Sequence, residues 1–370
     1  MALRLRSILA VVLSSNLAVF PAIAQDEFVV PLPAGVKVVW DVTKADREAT
    51  AMRGRVCING LWRWRPAAAP VSGAVGNQGG DAEALPDGGW GYFKVPGCWP
   101  GITDYMQKDC QTVFTHPGWK DQRLADVSSA WYQREITIPD DWRGRRIELC
   151  VECLNSQARV YVDGNRAGEL RFPGGALELT PLCRPGATHR LTLCVTALPL
   201  KAVLLSYTDT NAAREVKGRV ARRGLCGDVF LVATPAGPRI GDVKVDTSVR
   251  KKQVTFAASL HSLAPDARYS LHAKVTAGDG GGVTEFRSMP FGRRDLHDGS
   301  VVFADDWLPD RLWDIHTPQN VYDVTLTLED ADGKELDTTF RGRFGFREFW
   351  IDGRDFHLNG TRAHLSAVPD

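Results

Sequence analysis

From residue 55 onward the chain is written in short apolar or alternating runs, broken every few residues by Gly, Pro, Asn or Asp. Successive side chains of a strand point to opposite faces, so a period of two marks a half-buried strand. Arg134-Glu135-Ile136-Thr137-Ile138, Ala158-Arg159-Val160-Tyr161-Val162 and Arg190-Leu191-Thr192-Leu193-Cys194-Val195 all read this way. Val162-Asp163-Gly164-Asn165 predicts a hairpin, because Asp-Gly tolerates the positive φ angles of a tight turn. Outside the first two dozen residues, no window of a dozen carries a convincing helical period. Many short strands separated by turn signals specify an all-β chain, folded as sandwich or barrel.

The pattern breaks once, at Thr234-Pro235-Ala236-Gly237-Pro238-Arg239, where two prolines and a glycine interrupt a strand ending at Val232. A second alternating set follows. Its clearest member is Val321-Tyr322-Asp323-Val324-Thr325-Leu326-Thr327-Leu328-Glu329, with an Asp332-Gly333 turn that points to a hairpin. About 100 residues of short strands predict an immunoglobulin-like sandwich, without the Cys…Trp…Cys framework of antibody domains. The glycines of 278–282 read as a hairpin tip. The Gly-rich stretch 73–80 is not followed by Gly-Lys-Ser/Thr, so it reads as a loop rather than a phosphate cradle. Asn359-Gly360-Thr361 is formally a glycosylation acceptor, but closing an alternating strand it reads as a turn.

The N-terminus reads as an address. Arg4 and Arg6 precede an apolar stretch from Ile8 to Phe20, then the small-x-small site Ala22-Ile23-Ala24. This is the layout of a secretory signal peptide over 1–24, cleaved after Ala24, and predicts a secreted or periplasmic protein. The apolar stretch is shorter than the ~20 residues a membrane span needs, so no membrane partner is expected. With 45 basic and 44 acidic residues and no long basic run, no nucleic-acid surface is expected either.

The eight cysteines all precede residue 227, and in an oxidising compartment an even count permits disulfides within the first domain. Cys150-x-x-Cys153 lies in a strand-like run, where residues three apart face opposite sides. No second such pair completes a tetrahedral zinc site. The eight His are scattered, and no Gly-x-Ser-x-Gly elbow occurs. No metal or other cofactor is expected.

Eleven tryptophans are unusual, and seven of them fall between residues 62 and 142. They head an ordered set of motifs. Asn59-Gly60-Leu61-Trp62-Arg63-Trp64 is followed by Val95-Pro96-Gly97-Cys98-Trp99, Ala130-Trp131-Tyr132-Gln133-Arg134-Glu135-Ile136 and Ile138-Pro139-Asp140-Asp141-Trp142. Then come Val160-Tyr161-Val162-Asp163-Gly164, Gly224-Leu225-Cys226-Gly227-Asp228-Val229-Phe230-Leu231, Leu312-Trp313-Asp314, Phe344-Gly345-Phe346-Arg347-Glu348 and Phe356-His357-Leu358-Asn359-Gly360. In that order and near that spacing, they resemble the N-terminal part of glycoside hydrolase family 2, the β-galactosidase, β-glucuronidase and β-mannosidase group. The resemblance covers about residues 50–370.

It implies a galactose-binding-like jelly-roll sandwich over 25–236 that binds sugar, the immunoglobulin-like sandwich over 237–346, and a C-terminal stub of a (β/α)8 barrel over 347–370. A whole barrel needs ~250 residues, and 24 follow Phe346. The retaining chemistry of the family uses two glutamates about 5 Å apart on barrel strands. The acid/base one follows an Asn, and the chain has no Asn-Glu pair. No catalytic residue is therefore assigned. The expectation is a non-catalytic portion of an exported hydrolase with carbohydrate as partner. The alternative is a stand-alone secreted carbohydrate-binding module.

Trp62, Trp64, Trp131 and Trp142 lie in or beside strands and read as core. Trp99 and Trp119 lie in loop-like sequence and are the candidates for sugar or barrel contact, with packing as the alternative. The resemblance also marks Asp209, in Tyr207-Thr208-Asp209-Thr210, as an acidic loop residue aimed at the barrel; a solvated loop Asp is its alternative. It gives Arg347 an interdomain structural role, linking sandwich to barrel by forked hydrogen bonds. Phe344, Phe346, Phe349, Trp350 and Phe356 are expected to leave an exposed apolar face through which the chain self-associates.

Overall fold

A computed structural model describes residues 30–67, 85–99, 112–198, 200–205, 213–218, 222–278, 280 and 282–366. The N-terminal address, Cys110, the 73–80 glycines and Asp209 lie outside these residues. The described chain is all-β, its only helical pieces being single 3-10 turns. No helix among the described residues is long and apolar enough to cross a membrane.

The first half pairs a seven-stranded sheet with a five-stranded one, all antiparallel. The larger runs in the order Asn165–Arg171, Gln157–Val162, Thr188–Thr196, Ser129–Thr137, Gly60–Pro66, Gly91–Val95 and Val113–Phe114. The smaller runs Arg47–Ala49, Gly54–Cys57, Val229–Pro235, Arg145–Val151 and Gly175–Glu178. Alternation does the sorting. On Arg145–Val151 the residues Ile147, Leu149 and Val151 are buried and their neighbours are not. They meet Trp62, Trp64, Tyr132 and Val160 from the other sheet in one apolar cluster. The Asp163-Gly164 turn forms as predicted, with both φ angles positive (49° and 86°) between paired strands.

A second core begins at Ile240. It lies between a sheet of Arg239–Ser248, Gln253–His261 and Ser300–Asp306, and another built around Tyr269–Ala277 and Tyr322–Asp330. Phe256, Leu271, Ala273, Leu326 and Leu328 fill it, and Phe346 is buried among them, edge-on to Trp307 at 5.3 Å. That corrects the expectation of an exposed Phe346: in phase with Phe344, it closes the sandwich core. Phe344 is half-buried against Tyr322 at 5.8 Å. Beyond them, Phe349–Asp352, Asp355–Leu358 and Thr361–Ala363 form a three-stranded antiparallel sheet. The last two strands are joined through Asn359 and Gly360, whose φ angles of 52° and 94° are those of a tight hairpin turn. Phe349 and Ile351 on this sheet are exposed.

One ion pair joins the two cores. Asp337 has no solvent exposure. Its carboxylate accepts hydrogen bonds from Arg53 Nε at 2.8 Å, Arg53 Nη2 at 2.5 Å and the Ile240 amide at 2.7 Å. Thr50 Oγ1 donates to the Thr338 carbonyl at 3.1 Å, and Arg55 lies over Phe230 and Phe340. Breaking a buried pair from one side strands a charge, whereas replacing both partners by apolar residues does not. Asp337→Ala should cost about 3–5 kcal/mol, and the double change Arg53→Met with Asp337→Leu distinctly less. Urea denaturation midpoints of the three proteins check this.

Candidate functional site

Trp99 and Trp119 of the first sandwich converge on Trp64. Gly60–Pro66 pairs with Ser129–Thr137 so that Trp64 sits opposite Tyr132. The Trp64 ring lies 5.4 Å from Phe93, 6.4 Å from Trp99, 6.5 Å from Tyr132 and 5.1 Å, edge-on, from Trp119. Trp99 has no solvent exposure, and its indole N–H donates to the Tyr132 hydroxyl. Burial pushes the Tyr132 phenol well above its ordinary pKa of 10, so it stays neutral. Gly224 makes room for this contact, since a Cβ there would lie 2.8 Å from the Tyr132 oxygen and 2.9 Å from Trp99 Nε1. A ring closed to solvent offers no face to a pyranose, so Trp99 is placed as core despite its loop-like sequence. Trp119 ends the 3-10 turn Pro117–Trp119, half-buried, with its indole N–H donated to the Gly89 carbonyl at 2.9 Å.

Other chemistry-bearing side chains of the first sandwich are buried. His189 is buried, with Nδ1 2.6 Å from an Asp163 oxygen and Nε2 accepting from the Arg184 amide at 2.9 Å. Both ring nitrogens are thus occupied. Cys183 is buried, and burial pushes its thiol up to about 12. Arg134 points into the core, its guanidinium 5.6 Å from the Trp62 ring. Burial lowers its pKa to about 10, against a smaller opposing pull from Cys57, so it remains a cation at neutral pH. Among the described residues no group of three or more His, Cys, Asp or Glu is placed to hold a metal.

The second cluster is the junction behind Phe346, where sequence reading assigned an interdomain role only to Arg347. The exposed Arg347 guanidinium lies over Trp313 at 4.4 Å, and its carbonyl accepts from Thr247 Oγ1 at 2.6 Å. Both contacts are within the second sandwich. Glu348 accepts from Arg250 Nε at 2.7 Å, the Arg250 amide at 2.8 Å and Ser248 Oγ at 3.1 Å. Arg250 in turn covers Trp350 at 4.6 Å. Asn359 accepts from the Glu348 amide at 2.9 Å and donates to the Trp313 carbonyl at 2.8 Å. Its amide is therefore spent on joining the terminal sheet to the sandwich. Arg343 and Arg341 both approach Asp323 on the neighbouring strand.

Burial raises the Glu348 carboxyl, but the hydrogen bonds from Arg250 and Ser248 and the Arg250 charge outweigh it, so its pKa falls below the ordinary 4.5. A group with a depressed folded pKa stabilises fully above its unfolded value and loses that contribution as pH falls through the folded one. Hydrogen-exchange protection of Phe349–Ala363 should therefore hold above the ordinary 4.5 and fall as the pH drops below it. In Glu348→Gln it should be lower at neutral pH and flatter with pH.

Comparison with known proteins places these arrangements. Residues 239–347 match the profile described as Glycosyl hydrolases family 2. The β-glucuronidase of Bacteroides fragilis is 24% identical over 290 residues, covering 69% of this chain and 39% of that protein. The β-glucuronidase of Felis catus is 25% identical over 283 residues, covering 69% of this chain and 42% of that one. The chain thus spans less than half the length of the curated relatives it matches. A solved β-glucuronidase from Ruminococcus gnavus, in complex with N1-substituted uronic isofagomine, superposes with a TM-score of 0.58 at 17% identity. It covers 86% of this chain and 50% of that one. That likeness concerns the fold. The profile match lies on the second sandwich, and the curated matches, which cover 69% or more of the chain, reach into the first, so the chain is similar to glycosyl hydrolase family 2.

Proposed function

We propose that this chain supplies the non-catalytic β-sandwich portion of an exported glycoside hydrolase acting on β-glycosidic bonds, with β-glucuronides the first substrates to test. The observation that carries the reading is the family match over residues 239–347 in a chain whose relatives are β-glucuronidases. Side-chain chemistry supports it. Retaining hydrolysis needs one carboxylate free to attack and another carrying a proton to the leaving group. Asp337 and Glu348 instead spend their oxygens on arginines and backbone amides. His189 has no nitrogen left over for proton transfer. The sandwiches then act as scaffold, and the Arg4, Arg6 and Ile8–Phe20 pattern is read as the export signal.

The full chain should hydrolyse nitrophenyl β-glucuronide, β-galactoside and β-mannoside no faster than buffer alone. Turnover that disappears on denaturation would overturn the non-catalytic assignment. Reading the coding DNA past codon 370 tests the rest. Barrel-coding sequence there supports the reading, and a natural stop with none nearby contradicts it.

A further inference from the structure

The sulfurs of Cys98 and Cys226 lie 3.3 Å apart, although the residues are 128 positions apart in sequence. Two backbone hydrogen bonds hold their segments side by side: the Gly97 amide donates to the Leu225 carbonyl at 2.8 Å, and the Trp99 amide to the Arg223 carbonyl at 3.0 Å. Both cysteines are half-buried at the edge of the aromatic cluster rather than sealed inside it. Cys183 and Cys194 are buried, and the thiols of Cys57 and Cys150 are pushed up by burial.

We propose that Cys98 and Cys226 are a thiol–disulfide pair, a modification site that closes under oxidising conditions and staples the Val95–Trp99 connection to the Gly224–Cys226 connection. The oxidant is a small-molecule or protein disulfide. The Cys98 thiolate attacks one sulfur of that disulfide, forming a mixed disulfide and expelling one thiolate. The Cys226 thiol then loses its proton and attacks Cys98 Sγ, expelling the second thiolate. Two cysteine thiols are oxidised by two electrons, the incoming disulfide is reduced to two thiols, and the two protons pass to them. Cys98 is suited to the first step. Its hydrogen bond with the Cys226 thiol, aided by the Arg222 charge and opposed by burial, brings its pKa to about 7, while that contact and burial raise Cys226. The adjoining Trp99, which donates to Tyr132, would then be anchored by a covalent bond beside its backbone pairing.

The test uses the full chain equilibrated with oxidised glutathione, trapped with N-ethylmaleimide and digested with trypsin without reduction. The expected product joins the peptides Val95–Lys108 and Gly224–Arg239, each of which contains a single cysteine. Oxidation should raise the melting temperature by about 5 °C or more, because the bridge restricts a long loop of the unfolded chain. Cys98→Ser and Cys226→Ser should each remove that shift. In the reduced protein near pH 7, Cys98 should alkylate faster than any other described cysteine. Recovery of both cysteines alkylated after oxidation, or of Cys226 bridged to Cys153, whose carbonyl accepts the Cys226 amide at 2.8 Å, would overturn the proposal. So would a melting shift that persists in Cys98→Ser.

Discussion

A carboxylate removed from water is costly unless its lone pairs are met by donors, and Asp337 meets this condition only because two separately built sandwiches supply the donors. Arg53 comes from the segment that enters the Gly54–Cys57 strand, and Ile240 from the first strand of the second sheet pair. The Arg53 guanidinium also donates to the Ile240 carbonyl. The planar fork fixes direction as well as distance, so each sandwich constrains how the other can sit. Hydrophobic contact has no such directionality. The short link between Pro235 and Arg239 brings the sandwiches together, and the buried fork selects one orientation.

Within the first sandwich the constraint is volume. Trp62, Trp64, Trp99 and Trp142 are closed to solvent in the core between the sheets. Rings of this size fit between two sheets only where the facing positions are small. Gly91 shows this, since a Cβ there would lie 2.6 Å from the Trp119 ring and 2.2 Å from the Phe114 carbonyl. The abundance of tryptophan and the glycines on neighbouring strands are thus two sides of one packing solution. Rings without solvent exposure are unavailable to a saccharide.

The all-β class and several turns were legible in the sequence because the information is local. Asp163-Gly164 and Asn359-Gly360 take positive φ at both residues and Asp332-Gly333 at its glycine, and the strands on either side carry their own period of two. Trp99 was less legible. Its Pro- and Gly-rich surroundings report the shape of the backbone and say nothing about what packs above it. Arg53 and Asp337, 284 positions apart, have no mutual signal in a single sequence. The Cys98–Cys226 contact is of the same kind. Phe346 had a usable signal, since sharing the phase of Phe344 places it on the inward face. Its family motif pointed instead to a docking surface, and the local period proved the better guide. In the 347–370 stretch, expected as the start of a barrel, the strands Phe349–Asp352, Asp355–Leu358 and Thr361–Ala363 pair antiparallel among themselves.

That terminal sheet has no core of its own. An isolated meander of three short strands is marginal in water without a hydrophobic face packed on something larger. Here Phe349 stacks on Phe356 and Trp350 on His357 across strand pairs, while Phe349 and Ile351 remain open to solvent. What holds the sheet to the second sandwich is largely polar. Glu348 bonds to Arg250 and Ser248, Arg250 covers Trp350, and Asn359 reaches both Glu348 and Trp313. Polar anchors of this kind fix geometry better than they add stability. The sheet is therefore held at a defined angle with Phe349 and Ile351 displayed to solvent.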